Sequence, residues 1–334
     1  MEFFDNHKKL FSAAFLLFLV LTLFVAIMPA INNDRNNAPL PGQEMLTDDA
    51  VKGKALFISN GCVACHTQQV RNVDMDKMWG KRPSLAADYA INRRTDVWRN
   101  TATLMGTERT GPDLTSVGTR QPSKEWNLVH LFNPRIVVKE SIMPAYSWLF
   151  EIKKDPGKED VVVSIPKQYM QVEGTVVATK EALQLIAYLQ SLKQTELPNG
   201  SQPVSFLYKK EAAAVQESGK TDAGPDGAPL YATHCQACHQ ANGEGLKGAF
   251  PALKGSPIVM DDNPQMMFDI IMKGYDAREE FGVMPAVGMN AGLKPEEVAA
   301  IMNHERSSWG NNARKVTTQE VQKLMDAIKQ LPTQ

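Results

Sequence analysis

Two copies of one short motif constrain this chain more than any other feature of its sequence. All four cysteines stand in the pattern Cys-x-x-Cys-His, with Cys62, Cys65 and His66 in the first copy and Cys235, Cys238 and His239 in the second. In this pattern the two thiols add to the vinyl groups of a haem, and the histidine that follows them ligates the iron. The two motifs therefore predict two covalently bound haem c groups.

A Cys-x-x-Cys pair also occurs in redox dithiols and as one half of a zinc site. The histidine directly after the second cysteine suits neither of these uses, and it occurs in both copies. No cysteine outside the motifs is left for a disulfide bond. The sequence therefore favours haem attachment at both places.

An apolar segment near the N-terminus predicts a membrane-spanning helix. Leu10–Met28 contains no charged residue, and about 19 residues of helix span roughly 28 Å, close to the thickness of a bilayer core. The alternative is a cleaved signal peptide, but the segment exceeds the roughly 7 to 15 apolar residues typical of one, and no clean cleavage site follows. The positive residues His7, Lys8 and Lys9 precede the segment, which favours a cytoplasmic N-terminus and an external remainder, where haem is attached.

The sequence predicts four parts: a transmembrane anchor (1–31), a first cytochrome c domain (32–197), a linker rich in proline, glycine and serine (198–227) and a second cytochrome c domain (228–334). Residues 32–46 look like a tether. Thr47-Asp48-Asp49 predicts the start of a helix that leads into the first motif. The predicted fold class is therefore mainly α, with one N-terminal transmembrane helix and two class I cytochrome c domains.

Apolar spacing predicts the other elements of these domains. A helix over 179–193 closes the first domain, and we expect it to pack across the helix that begins near Thr47, as in a class I cytochrome c. Residues 161–165 and 172–177 predict a small β-hairpin within this domain. The second domain has predicted helices at 229–234, 264–273, 295–304 and 317–331, and Thr317 with Glu320 forms a capping box before the last.

The charge balance gives no sign of a nucleic-acid partner, because 36 basic residues face 37 acidic ones for a net charge of −1. The part from residue 198 onward holds 13 basic and 16 acidic side chains, a net charge of −3. This slightly favours a basic electron donor through electrostatic steering.

A six-coordinate haem c needs a second axial ligand, for which methionine is the expected residue. Met143 and Met284 are each followed by proline and alanine, and proline favours an extended backbone at the residue before it, as suits a ligand loop. Met289 competes with Met284 for the second haem. Pro112 and Pro251 stand in Pro-x-Leu loops between histidine and methionine, so we expect their carbonyls to orient the two histidines.

Several other side chains have two interpretations each. His130 is an alternative distal ligand, but a histidine on an apolar helix face more often packs or bonds a propionate. Arg109, Arg120 and Arg135 either pair with haem propionates or face solvent. The four tryptophans of the first domain either edge the first haem crevice or pack in a core: Trp79, Trp98, Trp126 and Trp148.

From the anchor to about residue 197 the chain resembles the membrane-anchored mono-haem c subunit of cbb3-type cytochrome c oxidase, within the haem–copper oxidase superfamily. The resemblance rests on the anchor and on GCVACHTQQVRN (61–72), RTGPDLTSVGTR (109–120), HLFNPRIVVKESIMPAYSWL (130–149) and ALQLIAYLQSL (182–192). It implies a subunit that assembles with the catalytic haem–copper subunit and other membrane subunits and relays electrons to the catalytic subunit. The matching haem residues are Cys62, Cys65, His66 and Met143.

Two features depart from that family. The chain adds a second cytochrome c domain, similar to the di-haem partner subunit of the same oxidases or to domains fused to caa3-type oxidases, and residues 151–174 do not follow the usual pattern. We therefore expect a di-haem electron-transfer subunit, without catalysis of its own, that takes electrons from a soluble cytochrome c or a quinol-oxidising complex. The alternatives are the c subunit of a nitric oxide reductase, a di-haem cytochrome c peroxidase and a free-standing membrane cytochrome. A peroxidase needs an open iron, against which the paired Met-Pro-Ala loops argue.

Overall fold

The computed structural model describes residues 2–91, 104–170, 172–198, 201, 204–207, 225–278 and 280–329. The fold is mainly helical with one small antiparallel sheet, which confirms the predicted fold class. The helices are α1 (Glu2–Asp5), α2 (His7–Leu21), α3 (Met28–Asn36), α4 (Asp48–Ser59), α5 (Ala86–Ala90), α6 (Val117–Arg120), α7 (Lys124–Phe132), α8 (Lys180–Ser191), α9 (Gly227–His234), α10 (Gln236–His239), α11 (Pro257–Met260), α12 (Gln265–Lys273), α13 (Val287–Ala291), α14 (Pro295–Ser307) and α15 (Thr318–Lys329). The strands are β1 (Phe150–Lys153), β2 (Val162–Val163) and β3 (Thr175–Ala178).

The N-terminal apolar segment is helical from His7 to Asn36, with a π-helical stretch, Thr22–Ile27, between α2 and α3. Within the part of the chain that the structure describes, this is the one helix long and apolar enough to cross a membrane, and its apolar side chains are exposed. The helix continues past residue 32, where the tether was expected to begin. Its last turn is held by Asn37, whose side-chain amide donates to the Asn33 carbonyl oxygen at 2.8 Å.

The chain forms two compact units. The first contains Met1–Thr47, Asn60–Thr115 and Gln194–Leu207, and the second contains Asp48–Ser59, Ser116–Lys193 and Tyr208–Gln334. The predicted linker lies largely outside the described residues. The four-part division of the chain stays a prediction.

A buried ion pair fastens the first unit together. Both Arg82 terminal nitrogens donate to the Asp88 carboxylate at 2.7 Å, and one of them also donates to the Thr195 carbonyl oxygen at 2.7 Å. The Thr195 N–H donates in turn to Asp88 at 2.8 Å. This bidentate arrangement satisfies both buried charges and ties the segment after residue 194 to the loop before α5.

In the second unit, α4 packs across the closing helix α8. Gly53 makes this approach possible, because a side chain there would overlap the Gln184 carbonyl oxygen on α8. One turn later the rings of Phe57 and Tyr188 meet edge to face, with centroids 5.5 Å apart. The predicted packing of the first helix against the closing helix is thus present. The first Cys-x-x-Cys-His motif follows directly after α4.

The small sheet precedes α8 and has the strand order β1-β3-β2. The predicted hairpin is confirmed as the antiparallel pair β2 and β3, with Val162 opposite Val177. The sequence reasoning missed β1, whose Phe150 pairs with Ala178 on the other edge of β3. The four residues of β1, Phe-Glu-Ile-Lys, alternate between apolar and charged side chains, but so short a run is a weak local signal for a strand.

The second cytochrome region repeats the helix pairing. Gly227 at the start of α9 lies against the Ala300 backbone of α14, where a side chain would overlap its carbonyl oxygen. Tyr231 of α9 packs beside Trp309, with ring centroids 5.1 Å apart. The capping box is present, since the Glu320 N–H donates to the Thr317 hydroxyl at 3.2 Å and the Thr317 N–H donates back to the Glu320 carboxylate at 2.8 Å.

Candidate haem sites

The first motif forms a tight turn directly after α4. Cys62–Ala64 is a single 3-10 turn, and the His66 N–H donates to the Cys62 carbonyl oxygen at 3.0 Å. Residues three positions apart in such a turn lie on one side of the chain. The turn thus presents both thiols of the motif together, with the histidine beside them.

His66 is oriented by the predicted proline loop. Its Nδ1 lies 2.8 Å from the Pro112 carbonyl oxygen, and because a carbonyl can only accept, Nδ1 carries the proton. Burial lowers the pKa of His66, although this hydrogen bond partly opposes the effect. A neutral ring with a proton on Nδ1 leaves the Nε2 lone pair available to a metal. Gly111 lies against the ring face, where a side chain would overlap it.

A polar network holds the segment after His66. The Thr67 hydroxyl donates to the buried Asp113 carboxylate at 2.6 Å, and the Gln69 N–H donates to the same oxygen at 2.8 Å. Arg109 donates to the Thr67 hydroxyl and to the Gln69 carbonyl oxygen, each at 2.9 Å. Two segments that carry the family resemblance, 61–72 and 109–120, are therefore joined to each other by side chains.

Asp76 anchors this network and was missed by the sequence reasoning. It is fully buried and receives hydrogen bonds from the Arg71 backbone and side chain, at 2.7 to 3.1 Å, and from Arg109. Burial alone raises the pKa of this carboxyl, but the hydrogen bonds from the two arginines outweigh it and hold the pKa at about 2. Arg109, a candidate propionate partner, is instead committed to a buried carboxylate.

Met143 lies in the second unit, in the loop after residue 138. Its side chain is half buried, and its N–H donates to the Ser141 hydroxyl at 3.3 Å. Three residues later the Tyr146 N–H donates to the Leu131 carbonyl oxygen of α7 at 2.9 Å. The Met-Pro-Ala loop is thus tied to the end of α7.

The second motif follows α9 in the same way as the first follows α4. The N–H groups of Cys238 and His239 both donate to the Cys235 carbonyl oxygen, at 3.2 and 3.0 Å. His239 is buried, and its Nδ1 lies 3.0 Å from the Pro251 carbonyl oxygen. Burial lowers the pKa of His239, so this ring is also neutral with its proton on Nδ1. Both predicted prolines therefore lie where a carbonyl orients the motif histidine.

Met284 is held in place by backbone pairing. It forms an antiparallel bridge with Tyr275, in which each N–H donates to the other carbonyl oxygen at 2.9 Å. The Met284 side chain lines a cavity that His239 also lines. Met289 lies on α13 with 55% of its surface exposed and does not line the cavity. The structure therefore brings His239 together with Met284 rather than with its competitor.

One cavity is lined by both His239 and Met284, and most of its lining is apolar. Cofactor sites are typically lined mainly by apolar side chains with a small number of polar groups. The apolar lining comes from α11, α12 and neighbouring loops and includes Leu253, Ile258, Val259, Met267, Ile270, Ile271 and Phe281. The polar or charged residues of the lining are His239, Ser256, Tyr275, Asp276, Arg278 and Glu305. Both expected axial ligands, His239 and Met284, belong to the lining. An apolar macrocycle held between histidine and methionine suits this lining.

The cysteines of the second motif are buried thiols rather than reactive thiolates. Burial raises the pKa of Cys235 well above its ordinary value and raises the pKa of Cys238 to about 11. Redox dithiols and zinc sites depend on thiolates with a lowered pKa. The environment of these thiols agrees with attachment to an apolar group.

Glu305 is a buried carboxyl in the wall of this cavity that the sequence did not reveal. Burial raises its pKa to about 8, and a hydrogen bond with the Cys235 thiol opposes part of that rise. The side chain is therefore largely protonated at neutral pH. In the sequence Glu305 is only an acidic residue at the end of a predicted helix. Without the fold, a buried glutamate in a helix cannot be distinguished from one that faces solvent.

The remaining candidates differ from one another. The ring of His130 stacks on Trp126, with centroids 4.5 Å apart, and the Trp126 indole N–H donates to the Ala237 carbonyl oxygen within the second motif at 3.3 Å. Trp148 is 62% exposed and packs edge to face against Tyr146. Trp98 lies outside the described residues.

Two known families match separate parts of the chain. Residues 1–164 match the family described as cytochrome C oxidase, mono-heme subunit/FixO, and residues 225–309 match the family described as cytochrome c. Cytochrome c-552 of Thermus thermophilus is 37% identical over 111 residues, which cover 83% of that protein and 30% of this chain. The chain belongs to the cytochrome c family.

These matches confirm the family resemblance identified from the sequence. This cytochrome c carries a mono-haem cbb3 oxidase subunit domain over residues 1–164 and a second cytochrome c domain over 225–309. It is a c-type cytochrome with two domains and is an electron-transfer subunit. The two cytochrome c domains imply that it binds haem c. The oxidase-subunit match ends at residue 164, short of the limit near 197 expected from the resemblance.

Cytochrome subunits of dehydrogenases are also among the relatives of this chain. The alcohol dehydrogenase (quinone) cytochrome c subunit of Gluconacetobacter polyoxogenes is 34% identical over 160 residues, which are 44% of this chain and 32% of that protein. The fructose dehydrogenase cytochrome subunit of Gluconobacter japonicus is 33% identical over 113 residues, 32% of this chain and 23% of that protein. The matched part of the chain therefore covers about a third or less of the length of each of these dehydrogenase subunits.

Proposed function

We propose that this protein is a di-haem electron-transfer subunit of a membrane-bound haem–copper oxidase. It takes electrons from a soluble cytochrome c or a quinol-oxidising complex and passes them to the catalytic subunit. The N-terminal helix anchors it in the cytoplasmic membrane, and both cytochrome domains lie on the outer side. The match of residues 1–164 to a cytochrome c oxidase subunit supports the choice of complex.

One observation carries the proposal: each motif histidine is held by the carbonyl of a proline, and the second faces a cavity that Met284 shares. Cys62 and Cys65, and Cys235 and Cys238, would attach one haem c each. His66 with Met143, and His239 with Met284, would supply the axial ligands. When bound, a haem c supplies a one-electron redox centre.

The protein side of this function is to hold each ligand in place. The carbonyls of Pro112 and Pro251 fix the tautomer of the two histidines, which directs Nε2 towards the metal position. The paired backbone of Met284 holds its sulfur in the cavity wall, and a thioether ligand favours the ferrous state. Apolar side chains from α11 and α12 exclude water, which limits the reorganisation that accompanies a change of charge.

A di-haem peroxidase is less well supported. Peroxide turnover requires an iron with an open or exchangeable position, whereas Met284 lines the same cavity as His239 and would occupy that position. A nitric oxide reductase subunit and a dehydrogenase cytochrome subunit share the same electron-transfer chemistry. They differ from the oxidase subunit in the catalytic protein with which they assemble.

The first experiment counts the haems. A reduced pyridine spectrum of the purified chain should give two haem c per polypeptide, and replacing both cysteines of either motif by alanine should leave one. A wild-type value of one, or a high-spin haem that binds peroxide readily, contradicts the proposal.

The second experiment tests the axial ligand with a matched control. Met284→Leu should abolish the sulfur-to-iron charge-transfer band of the second haem and lower its potential, because the thioether ligand is lost. Met289→Leu, only five positions away but exposed, should leave both unchanged. Equal effects of the two substitutions contradict the assignment.

The third experiment identifies the complex. Isolation in mild detergent followed by identification of the copurifying subunits should yield a haem–copper catalytic protein. A catalytic partner with non-haem iron would support a nitric oxide reductase subunit. A quinone-linked dehydrogenase as partner would support a dehydrogenase cytochrome subunit. If electrons from the external donor enter the protein at the second haem, Met284→Leu should also slow the reduction of the protein by that donor.

A further inference from the structure

The turn that follows α14 has an unusual backbone. It is closed by the Asn311 N–H, which donates to the Ser308 carbonyl oxygen at 2.9 Å. Its two central residues, Trp309 and Gly310, have φ angles of +56° and +91°. Glycine adopts a positive φ readily, but a bulky residue such as tryptophan does so only where the surrounding structure holds it there. The contacts of this turn, which we call the 308–311 turn, therefore indicate what it holds in return.

Trp309 holds the segment that follows the second motif histidine. Its indole N–H donates to the Ala241 carbonyl oxygen at 2.9 Å. Gly243 lies directly against the indole ring, where a side chain would overlap the ring atoms. The ring and its N–H group thus fix residues 241–243, which begin two positions after His239.

The residue directly after His239 has the other unusual backbone. Among the residues that the structure describes, Gln240 is the only other non-glycine residue with a positive φ, at +63°. Its carbonyl oxygen accepts the Tyr231 hydroxyl at 2.6 Å, and the Tyr231 ring packs beside Trp309, with centroids 5.1 Å apart. Two neighbouring aromatic side chains therefore hold the chain where it leaves the motif.

Asn311 holds the second proline loop, residues 251–255. Its side-chain oxygen accepts the Gly255 N–H at 2.7 Å. Its side-chain nitrogen donates to the carbonyl oxygens of Leu253, at 3.1 Å, and Glu305, at 2.8 Å. The side chain is buried, and both its donor and its acceptor groups are used. Asn311 thus fastens the proline loop to the end of α14.

The two held segments also bind each other. The Gly243 carbonyl oxygen accepts the N–H groups of Leu253 and Lys254, at 2.8 and 3.0 Å. Two residues before Leu253, the Pro251 carbonyl oxygen lies 3.0 Å from His239 Nδ1. The 308–311 turn, the segment after the motif and the carbonyl that orients the histidine therefore form one hydrogen-bonded network within the second compact unit.

We propose that Trp309 and Asn311 are positioning residues for His239, because they fix the proline loop whose carbonyl accepts the hydrogen bond of the histidine ring. This inference rests on the proposed function, in which His239 is an axial ligand of the second haem. A ring N–H that donates to a carbonyl makes the imidazole a more basic ligand, and a more basic ligand favours ferric iron. The 308–311 turn therefore lowers the potential of the second haem.

Three substitutions in the full-length, haem-loaded protein test this role. Asn311→Ala removes three hydrogen bonds to the backbone, and Trp309→Phe removes the donor to Ala241 but keeps a ring. Asn303→Ala is the matched control, because Asn303 also lies in the second domain and bonds the backbone on both sides of its amide. Its partner, however, is Val316 before α15, at 2.7 and 2.8 Å, rather than the proline loop.

The main measurement is a redox titration that resolves the two haems. Asn311→Ala should shift the reduction equilibrium of the second haem towards ferrous iron by about tenfold, which is about 59 mV for a one-electron couple. Trp309→Phe should give a smaller rise, and the first haem should not change. This rise is opposite in sign to the fall expected for Met284→Leu, so loss of the methionine ligand cannot produce it.

A second measurement reports on the hydrogen bond itself. Exchange of the His239 Nδ1 proton with solvent, followed by NMR in the reduced protein, should accelerate in Asn311→Ala and in Trp309→Phe. Asn303→Ala should lose stability in denaturant titrations, because it also loses buried hydrogen bonds. Its potentials and its ring-proton exchange should match those of wild type.

The outcomes separate this inference from the function on which it rests. If Asn311→Ala loses stability as Asn303→Ala does but shifts the reduction equilibrium by less than twofold, the turn is only structural and the inference is wrong, although the relay stands. An equal shift in Asn303→Ala also overturns it. If Asn311→Ala does not fold, unchanged potential and proton exchange in Trp309→Phe overturn it. A wild-type second haem without histidine and methionine ligands overturns both proposals together.

Discussion

The buried carboxylate of Asp76 should stabilise the segment that follows the first haem motif, and Asp76→Asn tests this directly. The side chain is fully buried and binds Arg71 and Arg109. Its pKa is about 2, against an ordinary value of 3.8, and a shift of this size corresponds to about 2 kcal/mol of stability at neutral pH. Because asparagine also leaves two arginines without their counter-charge, we expect a total loss of about 3 kcal/mol.

The sign of the pH dependence follows from the lowered pKa. The folded state binds the Asp76 proton less tightly than the unfolded state does, so the contribution is complete above about pH 5 and is lost as the pH falls through about 2. Wild-type protein should therefore lose about 2 kcal/mol from this group between pH 5 and pH 2. Asp76→Asn should lack that component, and the stability difference between the two proteins should shrink on acidification.

Thermal unfolding followed by circular dichroism provides the assay. At pH 7 the Tm of Asp76→Asn should fall by roughly 6 to 12 °C, at about 2 to 4 °C per kcal/mol. Asp74→Asn is the matched control, since Asp74 lies two residues away in an exposed pair with Lys77 and should cost less than about 1 kcal/mol. An Asp76→Asn protein that unfolds like the control, or that keeps the acid-dependent loss of wild type, refutes the reasoning.

Two further substitutions follow from the packing of the sites. Gly111→Ala should displace the His66 ring and weaken iron ligation at the first haem, seen as a changed low-spin spectrum, whereas Gly157→Ala, where a side chain has room, should leave the spectrum unchanged. Glu305 has a pKa raised by burial to about 8, so wild-type stability should fall by about 4 kcal/mol between pH 5 and pH 9. Glu305→Gln should remove this decline in denaturant titrations at several pH values, and a decline as steep as that of wild type contradicts the assignment.

The sequence by itself determined the features that depend on neighbouring residues. Spacing within five residues identifies each Cys-x-x-Cys-His turn, and a run of uncharged residues identifies the N-terminal helix. Local context also selected Met284, because proline restricts the backbone of the residue before it. The pairing of α4 with α8 was predictable as well, since both helices show an apolar face of helical period.

Only the tertiary structure decided which distant residues meet. Asp76 and Arg109 are 33 positions apart and carry no signal of their pairing, because a surface ion pair and a buried one look alike in sequence. The same holds for Trp126, which the sequence associated with the first haem and which instead donates a hydrogen bond to the second motif. Side-chain chemistry and short spacings fix what a residue can do, whereas burial and long-range packing fix which partner it has. The two haem motifs were therefore readable from the chain, and the contact of Trp126 with the second motif was not.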